Sequence, residues 1–282
     1  MTNPSPYSKE LKVAKAVALR VGGYLAKEQK KTSVVKRPQG ESFLDVTTAQ
    51  DLDAEKVIIA TLRKAFPDDH ILSEETLNEY ETKSSRTWIV DPLDGTTNYV
   101  KGLDAYGVSI ALLEKGRVVL AVVYLPITRE LYHSVRGNGV YLGRKELPMR
   151  SMGDTLEKSL VSVGFPHTRT GPALSSAFEL YKNILHVSSD LRRSASAAFD
   201  TCLLASGKTG AYVTPDIKPW DIAAGILFTE EQGGVAIGFD GGPIDLFKKK
   251  DGRFSTSVIF AKNEVIAAAL LHITKEYSSK FI

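Results

Sequence analysis

Asp91 and Asp94 flank Pro92 and Leu93, and Gly95-Thr96-Thr97 follows at once, behind the apolar triplet Trp88-Ile89-Val90. Proline forbids simple continuation of a strand ladder or a helix, so the spacing predicts a strand that leaves its sheet at Asp91. A turn through Asp94 and Gly95 then brings the two carboxylates to one point and lets backbone amides approach a ligand. Two carboxylates held together repel in proportion to their burial, so one takes a proton or a cation fills the gap. All-oxygen ligands favour a hard ion such as Mg2+. An isolated Asp-Pro-x-Asp is more often an ordinary turn. The amides and hydroxyls of Gly-Thr-Thr directly after it suit a phosphate group, and together the residues predict metal held against phosphate.

The elements that must position this stretch are legible from periodicity. Leu11, Ala14, Val17, Ala18, Val21 and Leu25 recur at helical spacing between Lys9 and Lys30, with Ser8 as the expected cap. A second helix is predicted through Ala54, Val57, Ile58, Thr61, Leu62 and Ala65, ending before Pro67. Short strands at His70 to Leu72 and Thr87 to Val90 precede two hairpins, which turn at Lys115-Gly116 and around Gly137-Asn138-Gly139. The first half thus reads as helices followed by an antiparallel sheet, an α+β arrangement. After residue 148 strands and helices alternate, which predicts an α/β half. The boundary is placed between 1–152 and 153–282, within one compact unit.

Composition narrows the class. The chain has 282 residues, 43% of them apolar, enough for a large buried core. Lys plus Arg number 36 against 33 for Asp plus Glu, and a formal charge of +3 predicts no nucleic-acid partner. Cys202 is the only cysteine, read as an inert core thiol, and excludes an intrachain disulfide or a cysteine-based zinc site. No secretory leader or membrane-spanning run is evident, so a cytoplasmic protein with no membrane partner is expected. His70, His133, His167, His186 and His272 lie in unrelated contexts and are read as surface or structural.

"WIVDPLDGTTNY" and "PWDIAAG", the latter at Pro219 to Gly225, resemble the two signatures of the inositol monophosphatase family. "SEE" at Ser73 to Glu75 stands where the family usually has Gly-Glu-Glu, and "DVTTAQD" at Asp45 to Asp51 resembles the segment that supplies an aspartate to the catalytic threonine. Four elements agree in order and spacing over nearly the whole chain. The resemblance implies a layered αβαβα sandwich and a homodimer. It implies Mg2+ ions at two or three positions, held by Glu74, Asp91, the Leu93 carbonyl, Asp94 and Asp221. Glu74 and Thr96, the latter oriented by Asp51, are similar to the family groups that position and deprotonate a metal-activated water. Asp94, Gly95, Thr96, Ser196 and Ala197 are the implied substrate contacts, and Trp220 is read as packing that anchors Asp221.

The implied activity is Mg2+-dependent hydrolysis of a phosphate monoester, inositol 1-phosphate foremost, with lithium inhibition. Where many inositol-specific members place a glutamate for the sugar alcohol, this chain has Thr214, with Asp216 as a nearby carboxylate. Fructose 1,6-bisphosphatase or broader sugar-phosphate activity is therefore the first alternative, and a nucleotide 3′-phosphatase the second. Those relatives usually carry Lys-Glu where this chain has Thr97-Asn98, which favours the inositol phosphatase branch. A non-catalytic binding or regulatory homologue is the alternative from another class. The intact acidic set argues against it, because a buried acidic cluster costs stability without metal. Lys36 and Arg37 are read as solvated loop charge.

Overall fold

The structure is a computed structural model that describes residues 6–32, 34–36, 46–76, 86–148, 154–167 and 170–281. Helix α1 (Ser8–Glu28) buries Ala14, Val17, Ala18, Val21 and Leu25, the stripe expected from its spacing. Ser8 is not its cap: Tyr7 holds that position in a left-handed conformation, without a side-chain cap bond. Strands β1 (Val34–Lys36) and β2 (Thr47–Thr48) form a small antiparallel pair. Helix α2 (Ala49–Ala65) starts earlier than its apolar pattern indicates, because Thr48 and Asp51 form a reciprocal capping box. Polar residues nucleate its first turn.

Seven strands follow in a sheet whose spatial order is their chain order: β3 (His70–Ser73), β4 (Arg86–Asp94), β5 (Gly107–Glu114), β6 (Arg117–Leu125), β7 (Glu130–Val135), β8 (Val140–Leu142) and β9 (Lys145–Glu146). Short helix α3 (Thr96–Val100) lies between β4 and β5. The sheet is mixed, not wholly antiparallel as expected, since edge strand β3 runs parallel to β4. A four-residue strand, His-Ile-Leu-Ser, carries no mark of its direction.

Pro92 does not end its strand. Strand β4 runs on to Asp94, and its register against β5 shifts between Asp91, opposite Ser109, and Asp94, opposite Gly107. Three steps on one strand face two on the other, a bulge, which is where a ladder tolerates a residue with no N–H. The turn waits for Gly95, whose φ of 92° lies in the left-handed region.

The second sheet takes the order β11-β10-β12-β16-β13. Along the chain come β10 (Leu160–Val163), α4 (Gly171–Val187), β11 (Asp190–Arg192), α5 (Ala197–Ala205), β12 (Ala211–Ile217), α6 (Pro219–Glu231), β13 (Val235–Ile237), β14 (Lys249–Lys250), β15 (Arg253–Phe254), β16 (Thr256–Ala261) and α7 (Glu264–Thr274). Strands β10, β11 and β12 are parallel, whereas β16 is antiparallel to β12 and β13. The two sheets draw on residues 70–146 and 160–261 respectively. The expected boundary at 152/153 lies outside the described residues.

Strand alternation builds the layers. On β4, Trp88 and Val90 face α1 and α2, while Ile89 joins a second cluster with Ala198, Cys202, Ile222 and Leu227 of α5 and α6. The far side of that cluster is Tyr212, Val258 and Phe260 of the second sheet. Val213 and Ile259, pointing the other way, pack with Leu180 and Ile184 of α4 and Ile266 and Leu270 of α7. Helices, sheet, helices, sheet, helices is therefore the order of layers, the expected αβαβα sandwich. Cys202 is fully buried and its thiol is pushed well up by burial, so the reading of an inert core thiol holds. No helix among the described residues is long and apolar enough to cross a membrane.

Candidate active site and metal centre

The bulge in β4 keeps Asp91 and Asp94 in the interior, 1% and 8% exposed. Asp221 comes from another layer. It occupies the first turn of α6, where its Oδ2 accepts the Lys218 N–H at 3.1 Å. One carboxylate oxygen from each of Asp91, Asp94 and Asp221 lies within 4.8 Å of the others. Glu74, just past β3, is in hydrogen-bond contact with Asp91. Its own N–H donates to Val90 O at 3.3 Å, which extends the parallel pairing of β3 and β4 by one residue.

Burial first, then mutual repulsion, pushes this group toward its protonated form. Glu74 and Asp91 rise well above the ordinary carboxylate range by desolvation, with Asp221 and Glu75 adding to Glu74 and with Glu74 and Asp94 adding to Asp91. Asp221 is pushed up to about 7 by burial and by the charge of Asp94. Asp94 rises to about 6 by burial, against hydrogen bonds from Ser196 and Ala198 that favour its ionised form. Four acids with only oxygen donors, unable to ionise together at neutral pH, fit a hard divalent cation such as Mg2+.

Asp94 has a second task. Its Oδ2 accepts both the Ser196 hydroxyl and the Ala198 N–H, each at 2.6 Å. Ser196 is the N-cap of α5 and also accepts from Phe199 N, so it tethers that helix to the acidic cluster. Ser196 and Ala197, expected to face the substrate, do line the cavity, but Ser196 spends its hydroxyl on Asp94.

Thr96 follows Gly95, and its hydroxyl lies 3.1 Å from both Asp51 Oδ1 and Leu93 O. The other oxygen of Asp51 accepts the Thr48 N–H at 2.8 Å and the Thr48 hydroxyl. Burial raises the Asp51 carboxyl, and the bonds from Thr48 and Thr96 oppose that rise. Thr48 was missed as a contributor to the site. Its signal was the Thr-x-x-Asp capping pattern at the start of α2.

The four acids and Thr96 open into one cavity of about 360 Å³, lined also by Gly95, Thr97, Phe165, Arg193, Asp216 and Trp220. Trp220 packs edge-on against Phe254 at 5.9 Å, in keeping with an anchoring role beside Asp221. Thr214 is fully buried under Gly164, its hydroxyl 3.4 Å from Asp216 O. Asp216, half-buried on the wall, accepts from His167 N at 3.1 Å and Ser255 Oγ at 2.7 Å. Arg193 rides over the Phe165 ring at 5.6 Å. Asp200, at the end of the same segment as Ser196 and Ala197, is buried on the cavity wall and accepts from Ser162 and Ser194. Arg37 lies outside the described residues.

A model of the inositol monophosphatase family matches residues 7–279. The Nus factor SuhB of Pasteurella multocida is 37% identical over 232 residues, which make up 82% of this chain and 86% of that relative. The crystal structure of extragenic suppressor protein suhB from Bartonella henselae aligns with a TM-score of 0.82 at 32% identity, covering 95% of this chain and 99% of that one. An IMPase of Thermotoga maritima aligns with a TM-score of 0.82 at 28% identity, covering 97% of this chain and all, 100%, of its own.

Proposed function

This chain belongs to the inositol monophosphatase family, and from that premise we propose that it is a Mg2+-dependent phosphate monoester hydrolase with inositol 1-phosphate as its first substrate. The observation that carries the proposal is the convergence of Asp91, Asp94 and Asp221 oxygens within 4.8 Å, at the base of a cavity that also holds Glu74 and Thr96. Glu74, Asp91, Leu93 O, Asp94 and Asp221 would hold the ions. Bound there, Mg2+ would supply the positive charge that stabilises phosphoryl oxygens and makes water more acidic near neutral pH.

The chain's own residues do the positioning. With its proton directed to Asp51, the Thr96 hydroxyl keeps its lone pairs for a water donor, and Glu74 is the adjacent acceptor for that water's proton. Asp51 is itself locked by Thr48 and cannot rotate away without breaking the α2 cap. The backbone at Gly95 and Thr96 would hold phosphate oxygens, helped by the turn that only a left-handed residue permits. Water attack in line needs no covalent phosphoenzyme.

The alcohol portion of the substrate would meet Asp216, Arg193 and the Phe165 and Trp220 rings, with Thr214 a buried part of the same wall. A pocket of this kind admits polyol and sugar phosphates beyond inositol. The proposal includes a cytoplasmic homodimer inhibited by lithium.

The test is phosphate release by the purified chain from inositol 1-phosphate, fructose 1,6-bisphosphate, adenosine 3′,5′-bisphosphate and histidinol phosphate, with Mg2+ and with EDTA. Mg2+-dependent release that Asp91→Asn abolishes supports the proposal, and the ranking assigns the substrate. No release from any of the four counts against it. A second reading rests on the Nus factor name of the Pasteurella relative: a binding role separate from hydrolysis. A catalytically dead Asp91→Asn chain that keeps its full cellular role would favour it.

A further inference from the structure

Glu55 stands four positions beyond Asp51 on α2, which places both side chains on one face of the helix. Both are buried, at 1% exposure for Asp51 and 3% for Glu55. Asp51 serves Thr96. Glu55 reaches a different segment: its Oε1 accepts the N–H of Glu75 at 3.1 Å and of Thr76 at 3.0 Å, and its Oε2 accepts the Thr76 hydroxyl. These donors belong to the two residues directly after Glu74.

A buried carboxylate is tolerated when hydrogen bonds replace its water, and backbone N–H groups supply a fixed direction that side chains do not. Glu74 is therefore gripped from both sides along the main chain, by Val90 O through its own N–H and by Glu55 through the following two. Thr47, one residue before the α2 cap, also donates to Glu75 Oε2 at 3.1 Å. The segment past β3 is thus held against α2 by carboxylate bonds, where the strand ladder no longer supports it.

We propose that Glu55 is a positioning residue for the metal site, one that fixes the backbone carrying Glu74 and so the direction of the Glu74 carboxylate. Helix α2 then orients two parts of the site through one helical turn: Asp51 aims Thr96, and Glu55 aims Glu74. The inference rests on the reading that Glu74 holds Mg2+. Outer groups that orient metal ligands typically account for about 10- to 100-fold in metal affinity.

The experiment measures Mg2+ affinity of the metal-free chain by isothermal titration calorimetry for wild type, Glu55→Ala and Glu55→Gln, with melting temperatures in EDTA alongside. Glu55→Ala is expected to weaken Mg2+ binding about ten-fold or more. Glu55→Gln keeps an acceptor for both N–H groups and is expected to restore affinity to within about three-fold of wild type, a shift of about 0.65 kcal/mol at most. In a Glu74→Gln background, Glu55→Ala is expected to add no further loss, because its effect passes through Glu74. Should Glu55→Ala not fold, Thr76→Val and Glu55→Gln carry the comparison. Wild-type affinity in Glu55→Ala with only a lowered melting point overturns the inference and leaves the phosphatase reading intact, as does an equal loss in the Glu74→Gln background. Absence of Mg2+ binding by the wild type overturns the metal-site reading and this inference with it.

Discussion

Asp51 and Thr96, 45 positions apart in the chain, meet with the Thr96 hydroxyl 3.1 Å from Asp51 Oδ1. The bond joins the first turn of α2 to the residue that follows the Gly95 turn, so a helix cap and the threonine proposed to position water share one carboxylate.

Asp51→Asn retains the size but removes the charge that favours Thr96 as a donor. The expected outcome is a fall in kcat of about 100-fold, the scale of a lost proton-transfer partner, with Mg2+ affinity little changed. Steady-state kinetics across a Mg2+ series separates the two effects. Thr96→Ser keeps the hydroxyl and is expected to retain most of the rate, whereas Thr96→Ala should match Asp51→Asn.

Asp91 is raised by burial and then by the charges of Glu74, Asp94 and Asp221. Asp91→Asn removes one repelling charge at nearly constant volume. Phosphate release is expected to drop by at least about 1,000-fold as transition-state charge stabilisation is lost, while the metal-free protein melts higher at pH 8 than wild type. Calorimetry in EDTA provides the second readout, and an unchanged or lower melting point would contradict the assigned repulsion.

The pH dependence has a definite sign. Asp94 and Asp221 have folded pKa values raised from 3.8 to about 6 and about 7. Between the unfolded and folded values the native state binds more protons, so these groups contribute stability in full below about pH 4 and lose it as pH rises through 6 and 7. Other carboxylates act in the opposite sense at low pH, so the useful window lies above pH 5. In EDTA the melting temperature is expected to fall between pH 5.5 and 8, and the rise caused by saturating Mg2+ should be larger at pH 8. A Mg2+ effect independent of pH would argue against binding at these acids.

Gly95 is placed at φ 92°, and a Cβ there would lie 2.8 Å from Ala105 O and 3.1 Å from the Ser196 Cβ. Gly95→Ala combines left-handed strain with a clash against backbone. A stability loss of about 1 to 3 kcal/mol is expected, measured by urea unfolding. Activity should fall further than stability explains, because the same residue sets where Thr96 begins.

Much of the site was legible because chemistry in this chain is written in short, local patterns. Asp91, Asp94 and the Gly-Thr-Thr turn depend on a few neighbouring residues, so their types marked a candidate metal and phosphate site, and the resemblance of the two signatures and their companion segments to one family joined Glu74, Thr96 and Asp221 to it. The apolar stripe of α1 and the turns at Lys115-Gly116 and Gly137-Asn138-Gly139 were readable for the same reason: side-chain period and positive-φ residues act within one element.

Other features depended on partners that no local pattern names. Pro92 looked like the end of a strand, yet a neighbour in register on β5 accommodates it as a bulge and carries Asp94 into the sheet. Ser196 is expected at the substrate and lines the cavity, and only the meeting of α5 with the end of β4 shows that its hydroxyl is donated to Asp94. Glu55 looked like one more polar residue on a helix until the segment past β3 came to lie against it.

By itself the sequence determined which acids and hydroxyls are available, the type of most elements and the family, since these follow from residue identity and short spacing. Tertiary structure alone decided how closely Asp221 of α6 approaches Asp91 and Asp94 of β4, that β3 runs parallel to β4, and which oxygen of Asp94 and of Asp221 already accepts a hydrogen bond. Those outcomes depend on sheet register and on packing between layers, where segments distant in sequence meet and buried polar groups must find partners in three dimensions.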